Sequence, residues 1–325
     1  MVLRVAICGA GHWGTRLIES VQAKSGKIRF AAAVTRDPAA RRPLGERFGL
    51  ALTARYAEVL ADPAIDAVVL ATPHSRHADE IAQAAQAGKH VFVEKPFTLT
   101  RESAERAIEA CRKAGITLHV GFNRRYAPAY AEMRRRIAAG EIGALRHLEG
   151  NFSGPPSYQT EPGNWRSNQL ESPGGSMTAR GCHLLDGMVH LGGLATEVFA
   201  VSERQQHDID VDDTTSCLLR FAGGATGTLA TLHAATRFYR LHAFGSKGAL
   251  ELRGDTELDV FDLEGRVRRL DFEAIDKERA ELEAFADAAA GKVKFVIAPE
   301  EIVNVVAGTE AVAASARSGK AIAIG

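Results

Sequence analysis

Residues 174 to 186 read GGSMTARGCHLLD, and three of them, Arg180, Cys182 and His183, offer side chains suited to chemistry within four positions. An imidazole exchanges protons near neutral pH, and a guanidinium grips anions. Cys182 has no protease-like partner set around it and reads as a small buried residue. Treating His183, Asp186 and His190 as zinc ligands fails on pattern, because no H-E-x-x-H or comparable signature is present, so no metal is expected. A second group is Gly9-Ala10-Gly11-His12-Trp13-Gly14, a G-x-G-x-x-G set between the strand-like LRVAIC and the helical TRLIESVQA. Such glycines allow a tight turn, close approach of a pyrophosphate and close packing of helix on strand, so the run points to a dinucleotide. At the expected end of the second strand stand Thr35 and Arg36, with Arg41 and Arg42 soon after. A hydroxyl and a guanidinium suit the 2′-phosphate of NADP, whereas Asp37 would favour the ribose of NAD if the strand ended one residue later. NADP is the favoured cofactor, with NAD as the alternative.

These residues need a scaffold. In the first 120 residues the runs LRVAIC, IRFAAAVT, DAVVLAT, HVFVEK and ITLHVGF are short and nearly continuously apolar, as strands buried on both faces must be. Helical patterns alternate with them, and in RESAERAIEACRKAG the residues Ala104, Ala107, Ile108 and Cys111 share one face. The expectation is an α/β fold, a doubly wound parallel sheet built by right-handed crossovers. After FNRRYAP the pattern changes to a helix, then a Gly, Pro and Ser-rich loop from Ser153 to Ser176, then period-two runs with glycine turns, then two helices near 278–290 and 299–318. That order predicts a nucleotide-binding domain over 1–122 and an α+β domain with a mostly antiparallel sheet over 123–325.

Composition sets the limits. The 325 residues carry 40 basic and 40 acidic side chains, so no bulk positive field is available to hold nucleic acid or an anionic membrane. The apolar N-terminal run is shorter than a membrane span and reads as a first strand, not as a signal peptide. Four cysteines without C-x-x-C spacing read as buried thiols in a reducing compartment, and a cytoplasmic location is expected.

Several segments in order, VAICGAGHWG, DAVVLATPHSRHADEIAQAAQAGKHVFVEKP, AGITLHVGFNRRYAP, GEIGALRHLEGNF, the stretch quoted first and FGSKGALEL, resemble the glucose-fructose oxidoreductase, inositol dehydrogenase and MocA family (Gfo/Idh/MocA). The resemblance runs from residue 3 to about 252, and Glu-Lys-Pro after GKHVFV is its most specific mark. It implies a Rossmann domain, an open antiparallel sheet in the second domain, and a homodimer or homotetramer packed through that sheet. It further implies hydride transfer between nicotinamide and a carbon bearing a hydroxyl, often on a sugar or cyclitol. By this likeness Lys95 is the acid or base, Glu94, Thr72, Pro73, His77 and Asn123 line the cofactor, and His183 assists catalysis. Hydride leaves carbon readily only if the hydroxyl proton leaves too, so a base must stand within reach. Partial burial and the positive nicotinamide ring would draw a lysine toward that role.

One position departs from the family pattern G-G-x-x-x-D-x-G-x-H, because matching Gly174, Gly175, Gly181 and His183 to it puts Ala179 where many members keep Asp. Losing a carboxylate while offering Arg180 makes the local potential more positive. With Arg124, Arg125, Trp165 and Arg166 in segments that flank the family's substrate cleft, an anionic substrate such as a sugar acid is expected. The bland alternative points Arg180 to solvent or to another subunit. Two other functions remain open at this level: a cofactor-binding sensor without turnover, and an NAD-dependent glycosidase of the same family.

Overall fold

The computed structural model describes residues 2–156, 161, 163–206 and 208–325. The loop expected from Ser153 to Ser176 therefore includes residues 157–160 and 162, which lie outside the described residues. The chain divides into two compact units.

The first unit holds a six-stranded sheet of β1 (Leu3–Cys8), β2 (Ile28–Val34), β3 (Ala51–Thr53), β4 (Ala67–Leu70), β5 (His90–Glu94) and β6 (Leu118–Gly121). The order is β3-β2-β1-β4-β5-β6 and every pair is parallel. The order reverses direction between β1 and β4, which opens a crevice at the carboxyl ends of the strands. Five of the strands are those the apolar runs announce; β3, three residues long, offers too little pattern to be read. Helices α1 (His12–Val21), α2 (Arg42–Phe48), α3 (Tyr56–Ala61), α4 (His77–Gln86) and α5 (Arg101–Ala114) form the crossovers. In α5 the buried residues are Ala104, Ala107, Ile108 and Cys111, the face that its spacing specifies. The unit is not contiguous. Residues 276–299 return to it, and a helix over Lys277–Ala290 adds Leu282, Phe285 and Ala286 to a core that contains Val5, Ile7, Leu17 and Phe92. A single boundary at residue 122 does not contain this return, because the apolar face of that helix is completed by the parallel sheet.

The second unit begins with α6 (Pro128–Ala138) and β7 (Leu145–Ser153), followed by α7 (Cys182–Gly192). Next come β8 (Ala195–Glu203), β9 (Thr214–Phe221), β10 (Thr226–Leu232), β11 (Phe238–Gly245), β12 (Ala249–Arg253), β13 (Glu257–Phe261) and β14 (Val267–Asp271). The returning helix is α8; α9 (Pro299–Ser318) and β15 (Ile322–Ala323) close the chain. These nine strands form one sheet, β14-β13-β12-β11-β7-β10-β9-β8-β15, antiparallel except where β7 meets β10. Burial alternates along β9, so one face is covered and the other open. On the covered face α7 lays Leu184 and Met188 over Gly150 of β7, where an added Cβ would stand 3.1 Å from Leu184. Asn304 of α9 completes the edge by bonding both the N–H and the carbonyl of Ala195 in β8.

Candidate active site

The turn after β1 is built so that no side chain can intrude. Gly9 has φ of +97°, and a Cβ there would lie 2.4 Å from the Ala71 carbonyl oxygen. A Cβ on Gly14 would lie 2.1 Å from the Gly9 carbonyl oxygen, so α1 can sit this close only without one. Gly11 caps α1, with no side-chain cap and no acidic residue in the first turn, and the space beyond its Cα is open. The free N–H groups and positive end of the helix dipole are therefore left for a phosphate. His12 is exposed at the first helical position, whereas Trp13 turns partly inward onto the core and its Nε1 has no hydrogen-bond partner. These features fit a pyrophosphate held by Gly9, Gly11 and the first turn of α1.

Beyond β2, the Thr35 N–H donates to the Thr53 carbonyl, which fixes the strand end. The Asp37 carboxylate accepts from the Ala40 N–H at 3.0 Å and so caps the following turn. Arg36 is exposed and, among the described residues, has no carboxylate partner.

At the ends of β4 and β5 the side chains are locked by one another. The Thr72 hydroxyl donates to Glu80 at 2.5 Å, and Glu80 also holds Arg76 at 2.6 Å. Burial raises the Glu80 carboxyl despite these partners. His77 is fully buried, with Nε2 3.1 Å from the Thr72 carbonyl and Nδ1 3.0 Å from that of Pro96 and 3.2 Å from that of Phe97. Its ring thus ties the end of β4 to the turn after β5 and is turned away from open space. Both ring nitrogens face backbone carbonyls, so neither is turned toward a ligand. Pro73 precedes a short turn over His74–Arg76. The Lys95–Pro96 peptide is cis, Lys95 is half-buried, and its N–H donates to Glu94 at 3.3 Å. Glu94 is buried against Gly121, whose added Cβ would stand 3.0 Å from its oxygen. Asn123, also buried, donates to Glu278 at 2.9 Å, while its Oδ1 has no hydrogen-bond partner. A buried acceptor of this kind is what a ligand amide or hydroxyl would satisfy.

In the second unit the quoted stretch is a π-helical turn over Met177–Gly181 that runs directly into α7. Gly181 abuts Thr231 of β10, where an added Cβ would lie 3.1 Å away. The Cys182 thiol donates to the Thr178 carbonyl at 3.2 Å and is buried, as are the free cysteines Cys8, Cys111 and Cys217. His183, 7% exposed, packs its ring 6.0 Å from that of Phe152 at the end of β7. Arg124 stacks over the same Phe152 at 4.9 Å and over Tyr239 at 4.3 Å, and pairs with Asp255. Arg180 approaches Phe152 at 6.0 Å. Phe152 therefore gathers His183, Arg124 and Arg180, three expected site residues, around one ring. Phe152, Tyr239 and Asp255 were not singled out from the sequence. Phe152 and Tyr239 are a cross-strand pair between β7 and β11, which only the register reveals.

Other expectations change. Arg125 turns into the protein, grips both Asp186 oxygens and reaches Glu301 at 2.7 Å, so it is not available to a substrate. Arg180 directs its guanidinium onto the carbonyls of Gly154, Pro155 and Leu232. Trp165 and Arg166 share a short turn over Trp165–Ser167, the guanidinium 3.8 Å from the indole, and neither lines the cavity beside Phe152. His190 bonds the Tyr130 hydroxyl through Nδ1 and Arg134 through Nε2; burial, then Arg125 and Arg134, push its pKa down to about 3.

Comparison with known proteins decides the family. Residues 3–122 match an oxidoreductase family with an NAD-binding Rossmann fold, and residues 130–251 match the GFO/IDH/MocA C-terminal domain. The chain belongs to the Gfo/Idh/MocA family. D-xylose 1-dehydrogenase (NADP(+)) 2 of Haloferax volcanii is 29% identical to it over 332 residues, covering 97% of this chain and 98% of that one. Myo-inositol 2-dehydrogenase of Thermotoga maritima is 29% identical over 260 residues, 76% of this chain and 74% of that one. The crystal structure of an aldose-aldose oxidoreductase from Caulobacter crescentus superposes with a TM-score of 0.89 at 25% identity, covering 99% of this chain and 100% of that one. As a Gfo/Idh/MocA protein the chain is an NAD(P)-dependent dehydrogenase acting on CH–OH groups. No helix among the described residues is long and apolar enough to cross a membrane.

Proposed function

We propose that this dehydrogenase uses NADP and moves hydride between nicotinamide and a secondary alcohol, or the matching carbonyl, of a sugar, cyclitol or hydroxy acid. The observation that carries the reading is the mounting of Lys95. Its half-buried side chain leaves the carboxyl end of β5, and the peptide that follows is held by the His77 ring, itself anchored on Thr72 at the end of β4. A general acid or base works through distance, so a residue mounted on two strand ends suits the task better than one on a free loop. Nicotinamide, when bound, supplies or accepts the hydride. Lys95 takes the hydroxyl proton on oxidation and returns it on reduction, and His183 assists from the ring cluster at Phe152.

Support for NADP is the exposed Arg36 beside an Asp37 already spent on its own turn. The names of the two dehydrogenase relatives, for xylose and for myo-inositol, support polyhydroxylated substrates. Exposed Phe199, Val201 and Leu218 on the open sheet face form the surface that a homodimer or homotetramer would cover.

The test is Lys95→Ala. Turnover of NADPH with a panel of sugars, cyclitols and their ketones should fall by roughly 10²- to 10⁴-fold, while NADPH affinity measured by fluorescence titration holds. Undiminished turnover would remove Lys95 from the mechanism.

A further inference from the structure

A cavity of about 810 Å³ in the second unit opens beside Phe152, between the ends of β7 and β11 and the turn after β12. Its walls contain five arginines, 124, 180, 237, 240 and 253, against three carboxylates, Glu251, Asp255 and Glu257. The pairings show where the excess lies. Arg124 meets Asp255, and Arg240 and Arg253 both meet Glu251. Glu257 meets Arg269 at 3.5 Å. Arg180 and Arg237 have no carboxylate partner among the described residues.

Arg180 is fixed where it stands. Its Nη1 donates to Gly154 and Leu232 carbonyls at 2.9 and 2.7 Å, and its Nη2 to Pro155 at 2.9 Å. The guanidinium lies against Gly154 so closely that an added Cβ would come within 3.1 Å of its central carbon. These bonds use three of five N–H donors and none of the charge. Burial, and then the like charge of Arg237, draw its pKa down to about 10. A half-buried cation answered only by another cation is costly to maintain and is relieved by an anion.

We infer that this cavity is an anion subsite, in which Arg180 and Arg237 hold a carboxylate or phosphate ester carried by the substrate. The subsite shares Phe152 with His183, so the charged group is read on the same molecule whose hydroxyl is oxidised. The inference rests on the reading of this unit as the substrate-binding one. It also assigns the anion contact differently from the arginine set that the sequence suggests: Arg125 leaves it, Arg124 is neutralised by Asp255, and Arg237 enters.

The test is calorimetric titration of the cofactor-free and the NADPH-loaded protein with D-glucose, D-glucuronate and D-glucose 6-phosphate. At least one charged sugar should bind about ten- to a hundredfold tighter than glucose at low salt, the range of a charged hydrogen-bonded contact. Which one does so separates a carboxylate from a phosphate ligand. Arg237→Met removes a charge without breaking a hydrogen bond or ion pair among the described residues, and it should narrow the charged-to-neutral ratio by at least about threefold. Equal binding of all three sugars, or a ratio that the variant leaves within about threefold of the native value, overturns the inference. Because the readout is binding, its failure is separable from that of the proposed function: turnover of neutral sugars without anion preference sinks only the subsite. Tight anion binding without any turnover sinks only the reaction.

Discussion

Arg36 and Asp37 are neighbours with opposite charges, and at residue scale a single hydrogen bond separates their surroundings. Asp37 is held by the Ala40 N–H, so it turns back into its own chain, while Arg36 is left outward. Arg36→Ala should therefore lower the ratio of NADPH to NADH affinity by roughly ten- to a hundredfold, the worth of one charge-assisted contact with phosphate. Fluorescence titration with both cofactors measures it, and an unchanged ratio would hand ribose recognition to another residue. The glycine turn and the placement of Glu94-Lys95-Pro96 at the end of β5 were legible in the sequence because both follow from backbone position. The direction of the His77 ring was not. The residue type suits a cofactor contact, yet the ring is turned onto the carbonyls of Thr72, Pro96 and Phe97. The adjacent Arg124 and Arg125 show the same limit, one stacking on Phe152 and the other buried on Asp186.

At the scale of elements, Arg125, Asp186 and Glu301 link the short turn before α6, the middle of α7 and the start of α9. Asp186 is 1% exposed at its side chain, and burial raises its carboxyl pKa while Arg125 pulls it down. Such a pair contributes little over an apolar substitute, but breaking it strands a buried charge. Arg125→Met should cost about 3–5 kcal/mol in urea denaturation followed by circular dichroism. Arg125→Met combined with Asp186→Leu should recover part of that loss. If the single variant unfolds at the native midpoint, the link is ornamental. The elements themselves were largely readable, since continuous apolar runs give parallel strands and period-two runs give the second sheet. Three features were not. The strand β3 is too short to show a period, the π-turn over Met177–Gly181 shifts side-chain phase in a way no apolar pattern encodes, and α8 completes a core begun some 270 residues earlier. The last is a long-range pairing, and local pattern carries no information about which face covers which.

For the molecule as a whole, acidic and basic residues balance at 40 each, so self-repulsion changes little near neutral pH and individual buried groups govern the pH dependence of stability. Glu281 on α8 is the strongest of them. It is 0% exposed, and neither carboxylate oxygen has a hydrogen-bond partner. Burial, and after it the charges of Glu94 and Glu278, raise its pKa well above that of a free glutamate. The folded chain therefore keeps this proton at pH values where the unfolded chain, ionising at about 4.3, has released it. Between those two values the unfolded state binds fewer protons, so stability falls as pH rises, by about 1.4 kcal/mol per unit. Below about pH 4 both states hold the proton and the penalty vanishes. Glu281→Gln keeps the shape and removes the ionisation. Relative to the native chain it should be close to neutral at pH 4 and gain stability as pH rises from there, by up to about 1.4 kcal/mol per unit while the folded chain keeps the proton. Urea midpoints at pH 4, 5.5 and 7 supply the comparison. A gap that stays flat across them would mean that Glu281 is ionised in the folded chain, and that the cluster with Glu94 and Glu278 is stabilised by a counter-charge rather than by a retained proton.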